Sequence, residues 1–136
     1  MTDNLRVHYD ELVLGDDQLL MWCGHSFTGT AYETDSTGRV ISDAHYLQGL
    51  QSGAAHEWSA TGRLLSECAY ENGSRHGLCR RWFENGQLEC EAEYRFSIKV
   101  SEKCWSADGM PLKDWSLPQD DSQWALIKLL GARFER

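Results

Sequence analysis

Proline is scarce in this chain: Pro111 and Pro118 are the two in 136 residues. With so little of it, and with six tryptophans and five tyrosines, the chain does not read as a flexible or polyproline linker. No apolar run approaches the roughly 18 residues that a membrane-spanning helix needs. The opening MTDNLRVHYDE has no basic patch followed by an apolar stretch, so no secretory leader is expected and the cytoplasm is the default compartment. Basic residues are also short: 13 Lys and Arg face 21 Asp and Glu, a net charge of -8. The deficit sits early, since residues 1–50 hold eight acids and two bases. An acidic surface repels nucleic acid and anionic lipid and favours a basic protein partner. Plain solubility accounts for the same charge equally simply.

Chemistry-bearing motifs are missing too. The histidines His8, His25, His45, His56 and His76 are scattered and form no H-E-x-x-H spacing. The glycines precede no phosphate-binding loop. Cys23, Cys68, Cys79, Cys90 and Cys104 are odd in number and contain no C-x-x-C pair, a poor disulfide or zinc framework. Cys79 follows His76 closely but has no third group to orient the pair. Neither catalysis, a metal nor a cofactor is expected.

What the chain has is a period. Residues 77–94 read GLCRRWFENGQLECEAEY, 53–70 read GAAHEWSATGRLLSECAY, and 29–46 read GTAYETDSTGRVISDAHY. Gly29, Gly53 and Gly77 recur every 24 residues, as do Gly38, Gly62 and Gly86, and Tyr46, Tyr70 and Tyr94. Trp58 and Trp82 keep the interval, and so do Gly49 and Gly73. A fixed period in the twenties marks a stacked repeat architecture. Within a unit, Leu88, Cys90, Ala92 and Tyr94 alternate with Gln87, Glu89, Glu91 and Glu93, the period of a strand. Asn85-Gly86 reads as a two-residue type I′ turn with positive φ at both positions. The unit is a β-hairpin.

If the loop is those two residues an expected register follows, which a three- or four-residue loop would change. Phe83 opposes Leu88, Cys79 opposes Ala92 and Gly77 opposes Tyr94; Ala55 opposes Cys68 and Gly53 opposes Tyr70, each tyrosine covering a facing glycine. On the other face Trp82 opposes Glu89, Arg80 opposes Glu91, Trp58 opposes Leu65, His56 opposes Glu67 and Tyr32 opposes Asp43. Asp43, Glu67 and Glu91 share one repeat position and are expected to stack as an acidic row flanked by aromatics. Cys68, Cys79 and Cys90 align with alanine and serine in other units, so they read as buried, reduced thiols packing as small hydrophobes.

The fold class expected is mainly β, one domain over 1–136: a meander of repetitive antiparallel hairpins closed by a C-terminal capping helix. Residues 1–26 form an irregular first hairpin, 27–115 the regular repeats and 117–136 the helix. Leu117-Pro118-Gln119-Asp120-Asp121-Ser122 is a helix-start sequence, and Trp124, Ile127, Leu130 and Phe134 follow at near-helical spacing. Such a helix covers the last hairpin, or serves as a docking helix for a partner.

The segments Trp82-Phe83-Glu84-Asn85-Gly86-Gln87-Leu88 and Tyr70-Glu71-Asn72-Gly73, with the entry Phe27-Thr28-Gly29, resemble the MORN repeat, particularly its bacterial variant. The resemblance covers about residues 20–115; Ser101 in place of glycine, Thr34 in place of tryptophan and a shortened last unit depart from it. It implies an antitoxin or immunity protein that binds a cognate toxin domain, such as a basic nuclease, and blocks its active site without chemistry of its own. The residues expected to make that contact are Trp58, Trp82, Glu67, Glu89 and Glu91, with Asp43 and Tyr32 next, because aromatic anchors and acids suit capture of a basic protein. The same tryptophans also read as packing between sheet and helix. The alternative function is a general MORN-type scaffold for protein or membrane surfaces, which the acidity disfavours for anionic lipid.

Overall fold

The computed structural model describes residues 5–134. Its elements in chain order are β1 (Arg6–His8), a 3-10 turn (Tyr9–Glu11), β2 (Val13–Leu14), β3 (Leu20–Trp22), β4 (His25–Ser26), β5 (Gly29–Thr34) and β6 (Val40–Leu47). There follow β7 (Leu50–Trp58), β8 (Leu64–Glu71), β9 (Ser74–Trp82), β10 (Leu88–Arg95), β11 (Ile98–Trp105), β12 (Pro111–Ser116) and α1 (Gln123–Phe134). Nine strands form one sheet in the order β1-β5-β6-β7-β8-β9-β10-β11-β12. From β5 onward each strand pairs antiparallel with the next in sequence, while β1 joins β5 in parallel. The fold is the mainly β hairpin meander that the period predicts, with one C-terminal helix. The irregular start is a separate three-stranded sheet, β2-β3-β4.

The predicted pairings hold in the body of the hairpins: Ala92 faces Cys79, Glu91 faces Arg80, Tyr94 faces Gly77, Cys68 faces Ala55 and Tyr70 faces Gly53. Near the tips they do not. Trp82 faces Leu88 rather than Glu89, so Phe83 does not pair with Leu88, and Trp58 faces Leu64 rather than Leu65. The cause is the turn. Gly86 N–H donates to Phe83 O (2.9 Å) and Phe83 N–H to Gln87 O (2.8 Å), which closes a three-residue loop. Only Gly86 there has positive φ (89°), whereas Asn85 does not. The extra loop residue shifts the pairing by one, and a bulge between Leu88 and Cys90 shifts it back. The tips at Gly38, Gly62 and Gly109 close with the same pair of backbone bonds. Type I′ geometry belongs to the connectors instead, where Gln48-Gly49 and Asn72-Gly73 both have φ of 50° and 85°.

Apart from Ala92 on β10, apolar burial is confined to the two ends. Val7, Leu20, Phe27 and Ala31 are buried together under the first sheet and the start of the second, with Leu5, Leu12, Trp22 and Tyr46 against them. At the other end Val100, Leu117 and Ile127 are buried among Phe96, Ile98, Trp115 and Trp124. Thus α1 covers the last strands, as its apolar stripe predicts; the Phe134 side chain lies outside the described residues. Asp121 accepts the Gln123 N–H (2.9 Å) at the helix start. No residue of β6, β7, β8 or β9 is buried. Between the end cores the sheet is one layer, open on both faces.

Candidate functional site

Strand alternation assigns the open sheet two faces of different chemistry. One carries the row that the period predicts: Tyr32, Asp43, His56, Glu67, Arg80, Glu91, Lys103 and Asp114 stand directly opposite one another from β5 to β12. It is not an acidic row. Acids occupy β6, β8 and β10, and His56, Arg80 and Lys103 occupy the strands between them. His56 meets Asp43 Oδ1 through Nδ1 (2.8 Å) and Glu67 Oε2 through Nε2 (3.0 Å). Arg80 Nε donates to Glu91 Oε2 at 2.6 Å. Burial works against the imidazolium, and the hydrogen bonds to Asp43 and Glu67 outweigh it, holding the His56 pKa above its ordinary value.

The other predicted contact residues lie around this row. Trp58 is half-buried and stacks on His56, ring centroids 5.4 Å apart. Trp82 is half-buried on β9, two residues beyond Arg80. Arg6 lies over the Tyr32 ring at 5.0 Å. Glu89 is the bulge residue between Leu88 and Cys90 and faces no partner across the ladder. The structure therefore brings Tyr32, Asp43, Glu67 and Glu91 into one line with both tryptophans near it, but most of that line's charge is matched within the chain.

The opposite face holds a groove of ≈ 470 Å³. Its floor is the small-residue row Ala31, Ala44, Ala55, Cys68, Cys79 and Ala92. One wall is Tyr46, Tyr70 and Tyr94, on β6, β8 and β10; the other is Glu33, Glu57 and Arg81, on β5, β7 and β9. Small residues in the middle row are what leaves the depression between taller walls. Arg75 lies over the Tyr94 ring (5.3 Å) and donates to the Tyr94 hydroxyl at 3.4 Å. Burial pushes the Tyr46 phenol up to about 12, with the nearby Tyr9 and Tyr70 hydroxyls adding to it, so the phenol stays a neutral donor. Glu33 accepts from Ser42 (3.2 Å) and Glu57 from Ser66 (2.8 Å), and neither pairs with a cation among the described residues. The period puts the tyrosines on one packing surface, a reading that leaves out Glu33, Glu57 and Arg81. Their signal was there: the three recur at the 24-residue interval.

The cysteines correct a second expectation. Cys68 and Cys79 are direct cross-strand partners with Cα atoms 4.0 Å apart, and Cys90 and Cys104 likewise at 4.1 Å; both pairs are disulfides. Register explains this, because two cysteines in neighbouring small-residue slots face each other at bonding distance. Cys23 is exposed and free. The ligand atoms of Cys90, Glu102 and Cys104 lie within 4.8 Å of one another. The two sulfurs are bonded to each other, however, and Glu102 accepts from Lys113 (2.7 Å) and Lys99 (3.0 Å), so this cluster is occupied by its own members. Among the described residues no helix is long and apolar enough to cross a membrane.

No family model matches the chain, and no curated protein matches it. Among solved structures it is similar to the crystal structure of the GtfA/B complex bound to UDP and GlcNAc, at 12% identity and a TM-score of 0.32, covering 97% of this chain and 30% of that one. The chain spans under a third of that protein's length, and a likeness at this level carries no argument about function.

Proposed function

We propose that this chain is a non-catalytic immunity or antitoxin protein, of the kind its repeats resemble, which captures a cognate toxin domain and occludes its active site. The observation that carries the reading is the open groove, where a wall of three tyrosines faces Glu33 and Glu57, carboxylates that pair with no cation among the described residues. Aromatic rings give large contact area with little entropy to lose, and unpaired carboxylates give charge complementarity to a basic partner. The groove is preferred to the opposite face because Asp43, Glu67 and Glu91 there are matched or flanked by His56, Arg80 and Lys103.

The test is co-expression with the C-terminal domain of a large secreted protein encoded beside this chain. A stoichiometric complex is expected, with relief of the toxin's growth defect. Tyr70→Ala and Glu57→Lys should each weaken the complex by about tenfold or more, while Trp82→Ala and Glu91→Arg should change it by less than about threefold. Recovery of the two proteins as separate species, with growth still arrested, would overturn the reading. Loss of binding on Glu91→Arg alone would move the contact to the other face.

A further inference from the structure

The two walls of the groove have the same pitch. Tyr46, Tyr70 and Tyr94 sit on alternate strands, and so do Glu33, Glu57 and Arg81 on the strands between. With strands about 4.8 Å apart, each wall repeats every ~9.6 Å across the sheet. A polyproline II segment lying across the strands turns once in three residues of about 3.1 Å rise, a repeat of ~9.3 Å, and so presents the same side at every third residue. A β-strand laid the same way alternates sides, so its third residue points away. The pitch selects the first conformation.

Charge along the groove selects the sequence. At the β5 to β7 end Glu33 and Glu57 each accept one serine hydroxyl and pair with no cation among the described residues. At the β9 position Arg81 is exposed, and no carboxylate pairs with it among the described residues. Beyond it Lys99 and Lys113 surround Glu102, whose carboxylate they already satisfy. One wall thus reads acid, acid, base at three equally spaced positions.

We propose that the groove takes an extended polyproline II segment of a protein partner, with cationic residues at its first and fourth positions over Glu33 and Glu57 and an acidic residue at its seventh over Arg81. Tyr46 and Tyr70 stack on the segment's proline or aliphatic residues between the charges, Tyr94 already carrying Arg75 over its ring, since a flat ring on a pyrrolidine needs no ordering of a flexible side chain. This deepens the partner-capture reading and rests on it for the groove being the contact face.

The probe is the capped heptapeptide Arg-Pro-Pro-Arg-Pro-Pro-Glu, titrated into the intact protein and followed by the ring resonances of Tyr46, Tyr70 and Tyr94. It should shift those resonances saturably. Arg-Pro-Arg-Pro-Pro-Pro-Glu, of equal composition with one charge moved, and the charge-inverted Glu-Pro-Pro-Glu-Pro-Pro-Arg should each bind about tenfold or more weakly. The double variant Glu57→Arg with Arg81→Glu should instead prefer Arg-Pro-Pro-Glu-Pro-Pro-Arg, a gain of binding that a misfolded variant cannot show. Equal binding of the first two peptides, or no shift with any of them, overturns the inference. If the toxin domain is still captured in that case, the immunity reading stands alone; if the peptide binds and the toxin domain does not, only the polyproline inference survives.

Discussion

His56 is held by a carboxylate at each ring nitrogen, an arrangement that only the doubly protonated ring satisfies. Asp43 on β6 and Glu67 on β8 face it directly, Arg80 lies one strand further on, and Trp58 stacks on it. Its folded-state pKa is raised above the ordinary 6.5, so its contribution to stability is complete below that value and is lost as pH climbs through the raised one. Urea midpoints taken from about pH 6 to about pH 9 should fall for the natural chain and run flatter for His56→Gln. Parallel curves for both would show that the bridge contributes nothing. Glu102 has the opposite sign. The hydrogen bond from Lys113 leads in lowering its pKa below 4.5, burial opposes this, and Lys99 adds to it, so its share is present above that value and is lost on acidification. Glu102→Gln should cost about 1 kcal/mol near neutrality and flatten the acid limb of the same titration.

At the scale of the hairpin, the tips lean on one another. Arg39 Nη1 donates to Ala60 O (2.5 Å), and a β-carbon placed on Gly86 would stand 3.2 Å from Arg63 Nη1. Gly86 also holds a φ of 89°, so Gly86→Ala should lower stability by about 1 kcal/mol or more, read as a fall in thermal midpoint. The disulfides make a second prediction. Alkylation before reduction should label Cys23 alone, and after reduction all five cysteines. Removing the Cys68–Cys79 bond, which closes a loop of 11 residues in sequence separation, should cost about 3 kcal/mol. Five labelled thiols without reductant would restore the reduced chain that a cytoplasmic setting implies; bonded pairs fit an oxidising compartment. The sheet, the pairing from Cys90 inward and the covering helix were legible in the sequence, because period and polarity alone determine them. The tip geometry was not: whether Asn85 takes positive φ depends on a backbone bond between Phe83 and Gln87, which no residue type announces. The sign alternation around His56, Arg80 and Lys103 was hidden for another reason. It appears only when neighbouring strands are set side by side, since the acids recur within one strand of each unit and the bases within the other.

Across the whole molecule, stability is concentrated where apolar side chains are buried, at the two ends. Phe27, 1% exposed, anchors one core, and Ile127, 6% exposed, joins α1 to the other. Phe27→Ala should cost about 3–5 kcal/mol and Ile127→Ala about 2–5 kcal/mol. Because the strands between carry no buried layer, each loss should stay local: hydrogen exchange should quicken in β11, β12 and α1 for Ile127→Ala while β5 and β6 keep their protection. Uniform acceleration along the chain would contradict this. The leaning tips have one more implication. Arg63 reaches Gly86 as Arg39 reaches Gly62, and Gln87 reaches Gly109, so every regular unit offers its successor the seat it received from its predecessor. A duplicated 24-residue block spliced between Tyr70 and Glu71 would find both neighbours already shaped for it. Evolution by tandem gain or loss of such blocks would lengthen or shorten the channel by one rung each time, without redesigning either end.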